Sequence, residues 1–326
     1  MNSMLLFLFA VIAGFVLLVW GANRFVTGAS ATARNLGVSP LIIGLTIVGF
    51  GTSAPEMLIA GIASWEGAPG IAIGNALGSN ISNIALVLGT TALITPLVVH
   101  SDTMKREFPI LLIIMLLTLL LLSDGQLGHW DGVLLILGMG IMIFWVVNLG
   151  LRTRRTDPIQ KEFSEEIPEK MPMKIAIMWL LMGLVILLVS SRIVVWGATG
   201  IATAFGISDL IIGLTIIAIG TSLPELAASI VSAMKGEHDI AIGNIIGSNM
   251  FNLLGVLALP GLIHPSLVED VVLTRDFTVM ILLTIALYAM SYGFGNSKGR
   301  ITRFEGATLL SAFVGYLVYL YFSAVH

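Results

Sequence analysis

The stretch IGLTIVGFGTSAPE, residues 43–56, ends in a glutamate, and a near copy, IGLTIIAIGTSLPE, occupies residues 212–225. Ten of the 14 positions are identical, and the two glutamates are 225 − 56 = 169 residues apart. Both copies lie within long apolar stretches. A carboxylate at membrane depth costs several kcal/mol, which makes Glu56 and Glu225 candidate functional residues. The same costly residue in two copies of one repeat predicts a single site built from two halves.

A second repeated phrase follows each glutamate at the same offset. IAIGNALGSNISN covers residues 71–83, IAIGNIIGSNMFN covers residues 240–252, and nine of 13 positions match. A third pair, GVSPLIIGLT at 37–46 and GISDLIIGLT at 206–215, extends the repeat in the N-terminal direction. The last two apolar segments of each half show no obvious match, so their role is predicted to be supportive.

The composition predicts an all-α polytopic membrane protein. The chain is 57% hydrophobic and 11% charged, whereas a soluble domain carries about 25% charge. Most of its apolar segments reach the roughly 20 residues that a membrane-crossing helix needs. We predict ten such segments: 3–23, 38–64, 70–97, 108–122, 130–150, 174–195, 207–233, 240–262, 277–293 and 304–324.

Several classes of protein and site are excluded by what the sequence lacks. The absence of cysteine excludes disulfides and thiolate metal sites. No basic tract favours nucleic acid. No HExxH motif, mid-membrane aspartate pair or cysteine nucleophile suggests an enzyme, and no cofactor or obligate protein partner is expected. The N-terminal MNSMLLFLFA lacks a basic region, so a retained first helix is predicted rather than a signal peptide.

Basic residues predict the orientation in the membrane. Fourteen of the 16 lysines and arginines fall after segments 1, 3, 5, 7 and 9, and only Arg192 and Arg275 fall on the other side. The positive-inside rule then places both termini outside and the polar loop 151–173 in the cytoplasm. This loop separates two domains, 1–150 and 174–326, of five segments each. Because five is odd, the second domain is predicted to be an inverted-topology repeat of the first.

The phrase GTSxPE has the chemistry of a cation site. Pro55 has no N–H, so within a helix it would leave the carbonyl of Gly51 without its partner, and Pro224 would do the same to Gly220. Irregular backbone at this depth requires protein or a water-filled cavity around it. We therefore predict broken helices at both motifs. Hydroxyl oxygens precede each glutamate by three and four residues, at Thr52 and Ser53 and at Thr221 and Ser222.

The phrase GNxxGSNxxN adds more oxygen. Ser79 and Asn83 are four residues apart and share one helix face, as do Ser248 and Asn252. The GxxxG pairs, Gly74 with Gly78 and Gly243 with Gly247, are typical of closely packed helices. Asn75 and Asn244 are predicted to bridge helices by side-chain hydrogen bonds.

The donor atoms indicate a hard cation. The repeats offer carboxylate, hydroxyl, amide and carbonyl oxygens, and no histidine lies in the middle of a segment. Ca²⁺ takes about 6–8 oxygen ligands, and two carboxylates would balance its charge. Na⁺ accepts similar oxygens and could compete for them, whereas Mg²⁺ prefers to keep its waters.

At these residues the chain resembles the cation/Ca²⁺ exchanger superfamily, and within it the prokaryotic Na⁺/Ca²⁺ exchangers. The two phrases are similar to that family's alpha repeats, and the resemblance spans the whole chain. It implies that segments 1 and 6 are long helices that slide to alternate access. It also implies two carbonyl ligands at the small residues seven before each glutamate. The implied ion ligands are Gly49, Thr52, Ser53, Glu56, Ser79, Asn83, Ala218, Thr221, Ser222, Glu225, Ser248 and Asn252.

The chain departs from some members of that family, which carry aspartate at one of the positions of Asn83 and Asn252. This leaves the Na⁺:Ca²⁺ stoichiometry and any H⁺ or K⁺ involvement open. The hypothesis is a secondary-active antiporter of an inner membrane that exchanges Na⁺ for Ca²⁺. TSxPE in both copies favours Na⁺, since the H⁺-coupled branch typically has GNxxE. The alternatives are a Ca²⁺/H⁺ antiporter and, more distantly, a cation channel.

Overall fold

The computed structural model describes residues 2–38, 40–99, 104–153, 171–205, 218–291 and 299–325. The predicted loop 151–173 is described only at its ends, and the repeat copy at 206–215 lies outside the described residues. The α-helices are α1 (Asn2–Leu36), α2 (Pro40–Ile43), α3 (Gly49–Thr52), α4 (Ala54–Trp65), α5 (Pro69–Ser82), α6 (Gly89–Ile94), α7 (Met104–Leu121), α8 (His129–Thr153), α9 (Met173–Ala204), α10 (Ala218–Thr221), α11 (Leu223–Met234), α12 (His238–Phe251), α13 (Ala258–Ile263), α14 (Thr278–Ser291) and α15 (Arg303–Val325).

Short elements connect these helices. Four strands form two antiparallel pairs, and they are β1 (Leu97–Val99), β2 (Gln126–Leu127), β3 (Ser266–Leu267) and β4 (Gly299–Ile301). A 3₁₀ turn covers Leu122–Asp124. Among the described residues, four turns are π-helical, and they cover Gly44–Val48, Asn83–Leu88, Asn252–Val256 and Val272–Phe277.

Seven of the described helices are long and apolar enough to cross a membrane. The number is eight if Gly44–Thr52 and Ala54–Trp65, which meet at Ser53, are counted together as one span. Ten segments are predicted from the sequence, and part of the segment 207–233 lies outside the described residues. The first and sixth segments are longer than predicted. Helix α1 has 35 residues and α9 has 32, against predicted bounds of 3–23 and 174–195.

The helix ends repeat along with the sequence. Pro55 in α4 and Pro224 in α11 lie in the first turn, where a missing N–H costs no hydrogen bond. Both helices end at a glycine with positive φ, Gly67 at 78° and Gly236 at 79°, which are repeat partners. The next residue closes the turn in each case, since Ala68 N donates to Ala63 O at 2.8 Å and Glu237 N to Ser232 O at 2.9 Å. These are matching C-terminal caps.

The chain forms two compact units, each made from both halves of the sequence. Unit A contains residues 1–52 and 140–244, and unit B contains residues 53–139 and 245–326. These are units of packing, and the domain boundaries predicted at 150 and 174 stay a prediction.

Helices α1 and α9 form the framework of unit A and pack through glycines. A Cβ atom on Gly28 would lie 2.3 Å from the backbone nitrogen of Leu180, and one on Gly183 would lie 2.4 Å from the backbone nitrogen of Phe25. Because backbone atoms occupy these positions, only glycine allows the helices to come so close. Phe25 and Leu187 are buried in the apolar core between α1, α9 and α11.

Two strand pairs and close contacts at glycines join the sequence halves within unit B. Strand β1 pairs with β4, and β2 pairs with β3, so that each pair takes one strand from each half. A Cβ on Gly89 of α6 would lie 3.0 Å from the carbonyl oxygen of Gly306 in α15. A Cβ on Gly132 of α8 would lie 2.9 Å from the carbonyl oxygen of Ala258 in α13.

The contacts of the GxxxG glycines are described for only part of the two repeats. A Cβ on Gly44 would lie 3.1 Å from the Cα atom of Gly243, so the helices do approach closely at Gly243, as predicted. No described atom lies within 4 Å of a Cβ built on Gly74 or Gly78. The repeat partner of Gly44 is Gly213, at the offset of 169, and it lies outside the described residues. The packing predicted for Gly74 is therefore not tested.

Candidate ion-binding site

Each glutamate follows an interruption in the helical backbone. Helix α3 ends at Thr52 and α4 begins at Ala54, with Ser53 between them at φ −81° and ψ 5°. Helix α10 ends at Thr221 and α11 begins at Leu223, with Ser222 between them at φ −86° and ψ 3°. The two repeats therefore have the same backbone conformation at the motif serine, in the sparsely populated bridge region.

The two glutamates are buried in the first turn of their helices. Glu56 is 1% exposed and Glu225 is 0% exposed. Acidic residues are almost never fully buried without a counter-charge or hydrogen bonds. Each glutamate lies in the first turn of its helix, where the helix dipole is positive. A buried carboxylate held in this way is suited to bind a cation.

Two repeat-equivalent asparagines bind the backbone beside the glutamates. Asn75 Nδ2 donates to the carbonyl oxygen of Glu56 at 3.2 Å. Asn244 Nδ2 donates to the carbonyl oxygen of Glu225 at 3.4 Å. The prediction that these asparagines bridge helices is confirmed, and each bond fixes the first turn from which a glutamate side chain extends.

Asn244 joins residues of both repeats within unit A. Its Nδ2 atom also donates to Ser229 Oγ at 3.0 Å, and its Oδ1 atom accepts a hydrogen bond from Thr52 Oγ1 at 3.0 Å. Thr52 and Asn244 are fully buried. The Thr52 hydroxyl lies 3.0 Å from both Asn244 Oδ1 and Val48 O, and its one proton can be donated to only one of them at a time.

One carbonyl that the sequence predicts to be freed has a partner from another helix. Gly220 O, four residues before Pro224, accepts a hydrogen bond from Ser191 Oγ of α9 at 2.8 Å. The repeat partner of Ser191 is Ala22, which has no hydroxyl. The two repeats therefore differ at this position, and one lone pair of the Gly220 carbonyl is already engaged.

Buried asparagines of the GNxxGSNxxN phrases meet in unit B. Asn80 Nδ2 donates to the carbonyl oxygen of Asn249 at 3.2 Å, and Asn249 Nδ2 donates to the carbonyl oxygen of Asn80 at 3.5 Å. Asn83 Nδ2 donates to Asn249 Oδ1 at 3.1 Å. Neither side-chain polar atom of Asn252 has a hydrogen-bond partner among the described residues, although Asn252 is fully buried. An unsatisfied buried amide is costly, which suits a group that binds an ion.

The remaining predicted ligands are placed as follows. Ser79 and Ser248 are buried, at 5% and 0% exposure, one α-helical turn before Asn83 and Asn252. Gly49 is the first residue of α3, and its carbonyl oxygen lies 3.4 Å from Thr52 Oγ1. Ala218 is the first residue of α10, and its side chain lies outside the described residues.

The predicted residues fall into two groups, one in each unit. Thr52, Asn244 and Glu225 lie together in unit A, and Glu56 lies with Asn75 in unit B. Within the described ranges, no three His, Cys, Asp or Glu side chains group as a metal site. Hydroxyl, amide and carbonyl oxygens would therefore have to complete the coordination of a cation.

Sequence reasoning missed Asn80, Asn249 and Ser191. The first two lie inside the quoted repeat at the offset of 169, and this identity was the available signal. Ser191 had no such signal, because its repeat partner is an alanine.

A polar contact joins α1 to the turn after α11. Lys235 Nζ donates to Thr27 Oγ1 at 2.6 Å, to Asn23 O at 3.1 Å and to Asn23 Oδ1 at 3.2 Å. Burial lowers the pKa of Lys235 and raises the pKa of Glu237, although the Ser30 side chain opposes the change at Glu237. The repeat partners of Asn23 and Lys235 are Arg192 and Glu66, so the two repeats carry different side chains at these positions.

The sequence model of the family described as sodium/calcium exchanger protein matches residues 6–148 and 175–322. CaxA of Alkalimonas amylolytica is 51% identical over 314 residues, covering 96% of this chain and 98% of that one. The inner membrane protein YrbG of Escherichia coli is 42% identical over 320 residues, covering 98% of each. The sodium/calcium exchanger MaX1 of Methanosarcina acetivorans is 32% identical over 342 residues, covering 95% of this chain and 97% of that one.

Solved structures agree with this relationship. The sodium-calcium exchanger NCX_Mj, in crystals soaked with zero Na⁺ and Ca²⁺, matches with a TM-score of 0.83 at 32% identity. The match covers 97% of this chain and 99% of that one. The chain is therefore a membrane protein that belongs to the sodium/calcium exchanger family.

Proposed function

We propose that the protein is a secondary-active antiporter that exchanges Na⁺ for Ca²⁺ by alternating access. The family supports a cation/Ca²⁺ antiporter, and a transporter rather than an enzyme. The observation that carries the proposal is the matched pair of buried glutamates. Each is in the first turn of a helix, directly after an interrupted backbone, with its carbonyl bound by an asparagine of the following helix. Inverted repeats with interrupted helices are typical of alternating-access transporters.

The proposed ion ligands are the oxygen atoms of both groups. The sequence repeat joins the groups in this proposal, because it gives each glutamate the same hydroxyls and amides. Ca²⁺ would be bound by two carboxylates and several neutral oxygens, and Na⁺ ions would compete for the same atoms. The set comprises Gly49, Thr52, Ser53, Glu56, Ser79, Asn83, Ala218, Thr221, Ser222, Glu225, Ser248 and Asn252.

Ten membrane-spanning segments in two inverted repeats complete the proposal. Reciprocal contacts support the repeats. Asn80 and Asn249 are repeat partners and donate to each other's carbonyl oxygen, which is the pattern that a two-fold axis produces. Each of the strand pairs, β1 with β4 and β2 with β3, takes one strand from each sequence half.

Alternating access is assigned to α1 and α9, the two long helices of unit A. Their glycine contacts keep them packed closely against each other, so they would move together. The distribution of basic residues supports an inner-membrane orientation with both termini outside and the loop 151–173 in the cytoplasm. Exchange of three Na⁺ for one Ca²⁺ would move one net charge per cycle, which couples transport to voltage by about 2.3 kcal/mol per 100 mV.

The test is Na⁺-gradient-driven uptake of radioactive Ca²⁺ into proteoliposomes. We expect uptake by the wild type and its loss in Glu56→Gln and Glu225→Gln. The matched control is Glu66→Gln, since Glu66 is the exposed C-terminal cap of the helix that carries Glu56. Uptake that continues in both buried variants would overturn the site. Absence of uptake by the wild type under every Na⁺ gradient would overturn Na⁺ coupling.

Ca²⁺/H⁺ exchange is the second candidate function. The observation that favours it is the burial of both carboxyl groups, because a buried carboxyl can take up a proton in place of a cation. In that case a pH gradient would drive Ca²⁺ uptake in Na⁺-free buffer. An uptake that needs Na⁺ at every pH would exclude this alternative.

A further inference from the structure

The asparagine cluster of unit B contains one bond whose direction cannot be reversed. Asn249 Nδ2 lies 3.5 Å from the backbone carbonyl oxygen of Asn80, which can only accept a hydrogen bond. Asn249 must therefore turn its NH₂ group towards Asn80. The side-chain N and O atoms of an asparagine can be interchanged in assignment, but the backbone carbonyl oxygen of Asn80 cannot be exchanged for a donor. The orientation of the Asn249 amide is therefore fixed by its contact with that carbonyl.

The orientation of Asn249 determines that of Asn83. With its NH₂ group towards Asn80, Asn249 presents Oδ1 on its other side, and Asn83 lies there at 3.1 Å. Two oxygens cannot share this contact, so Asn83 must present its NH₂ group to Asn249. The Oδ1 atom of Asn83 then points away from the cluster. It is buried and has no hydrogen-bond partner among the described residues.

We infer that Asn249 is a positioning residue, which turns the amide oxygen of Asn83 towards the transported cation. The inference rests on the proposed function, since it takes Asn83 as an ion ligand. A cation is bound by the oxygen and repelled by the NH₂ group, so a carboxamide contributes only in one of its two orientations. Asn249 fixes the productive orientation before the ion arrives.

The second repeat lacks this arrangement in the present conformation. Asn80 is the repeat partner of Asn249, and Asn252 is the repeat partner of Asn83. Within the described chain, Asn80 Oδ1 and both polar side-chain atoms of Asn252 have no hydrogen-bond partner. Asn83 is therefore the oriented ligand of the pair.

The variant Asn249→Leu tests this inference with Asn80→Leu as its matched control. Both asparagines are fully buried and repeat-equivalent, but only Asn249 contacts the Asn83 side chain. In Asn80→Leu the backbone carbonyl of residue 80 remains, so Asn249 stays oriented. Loss of one neutral hydrogen bond predicts a Ca²⁺ dissociation constant about two- to tenfold higher in Asn249→Leu.

The measurement is the Ca²⁺-dependent rise in thermal unfolding temperature of the purified protein in detergent. It is made on Asn249→Leu, Asn83→Ala and the double variant. We expect Asn249→Leu to weaken Ca²⁺ binding in the wild-type background but not in the Asn83→Ala background. The effect of Asn80→Leu on Ca²⁺ binding should be the same in both backgrounds. Asn249→Asp still accepts from Asn83 but cannot donate to Asn80, so we expect it to bind Ca²⁺ at least as tightly as the wild type.

Three outcomes separate this inference from the proposed function. An Asn249→Leu variant with wild-type affinity, beside a weakened Asn83→Ala, would overturn the role of Asn249 alone. A full effect of Asn249→Leu in the Asn83→Ala background would also overturn it. A wild type that shows no Ca²⁺-dependent shift would instead overturn the proposed function. Asn249→Ala replaces the leucine variant if that protein does not fold.

Discussion

The substitution Gly28→Ala is expected to destabilise the packing of α1 against α9. The added Cβ would lie 2.3 Å from Leu180 N and 2.7 Å from Ala176 O, whereas ordinary contacts begin at 3.4 Å. These are backbone atoms, which cannot rotate away, so the helices must separate by about 1 Å. Overpacking of this kind costs about 1–3 kcal/mol. The better helix propensity of alanine returns about 0.5–1 kcal/mol, which leaves a net loss of up to about 2.5 kcal/mol.

Gly140→Ala in α8 is the matched control for this prediction. No described atom lies within 4 Å of a Cβ at Gly140, so alanine should be neutral there or stabilise the helix by up to about 1 kcal/mol. Gly183→Ala, which meets Phe25 N at 2.4 Å from the opposite helix, should behave like Gly28→Ala. Thermal unfolding in detergent, followed by circular dichroism, ranks the variants. A Gly28→Ala protein as stable as Gly140→Ala would refute the close contact between α1 and α9.

Three further predictions follow from the polar contacts. Asn244→Ala removes the side chain that hydrogen-bonds to Glu225 O, Ser229 and Thr52. It should cost about 1–3 kcal/mol of stability and reduce Ca²⁺ uptake. The control Asn148→Ala, on an exposed helix face, should change neither. Lys235→Met should lower stability by at most about 1 kcal/mol, because the ammonium is partly exposed, and Lys174→Met provides the baseline. Burial raises the pKa of Glu237, so the folded state holds this proton more tightly, and stability should fall as pH rises from the ordinary value of 4.5 through the raised pKa. Unfolding temperatures measured across this range should lose that part of their pH dependence in Glu237→Gln.

The local features of the site were predictable because their causes lie within a few residues. Pro55 and Pro224 cannot continue a helix, and the structure starts a new helix next to each of them. The asparagines of the repeated phrase were predicted to bridge helices, because a buried amide needs a partner. Asn75 and Asn244 do so, and each binds the residue that the repeat offset requires.

The long-range partners could not be derived from the sequence. Asn80 and Asn249 lie in apolar stretches of the sequence, but nothing in those stretches identifies them as partners. Their hydrogen bonds depend on how two helices cross, 169 residues apart in the chain. Strands β1 to β4 have two or three residues each, too few for a pattern to emerge. Their pairing shows that the loops of one half meet those of the other.

The π-helical turns explain how one helix can serve both the site and the core. Asn83 and Asn252 are each the first residue of a π turn, while Ser79 and Ser248 precede them by one α-helical turn. Each serine therefore keeps the α-helical spacing to its asparagine and shares its face. The extra residue of the π turn rotates the following helix by about 100°, so that apolar residues after the turn face a new direction. Such turns weaken a helix and are frequent at functional sites. Their presence at both asparagines, in both repeats, separates the polar part of each helix from its packing part.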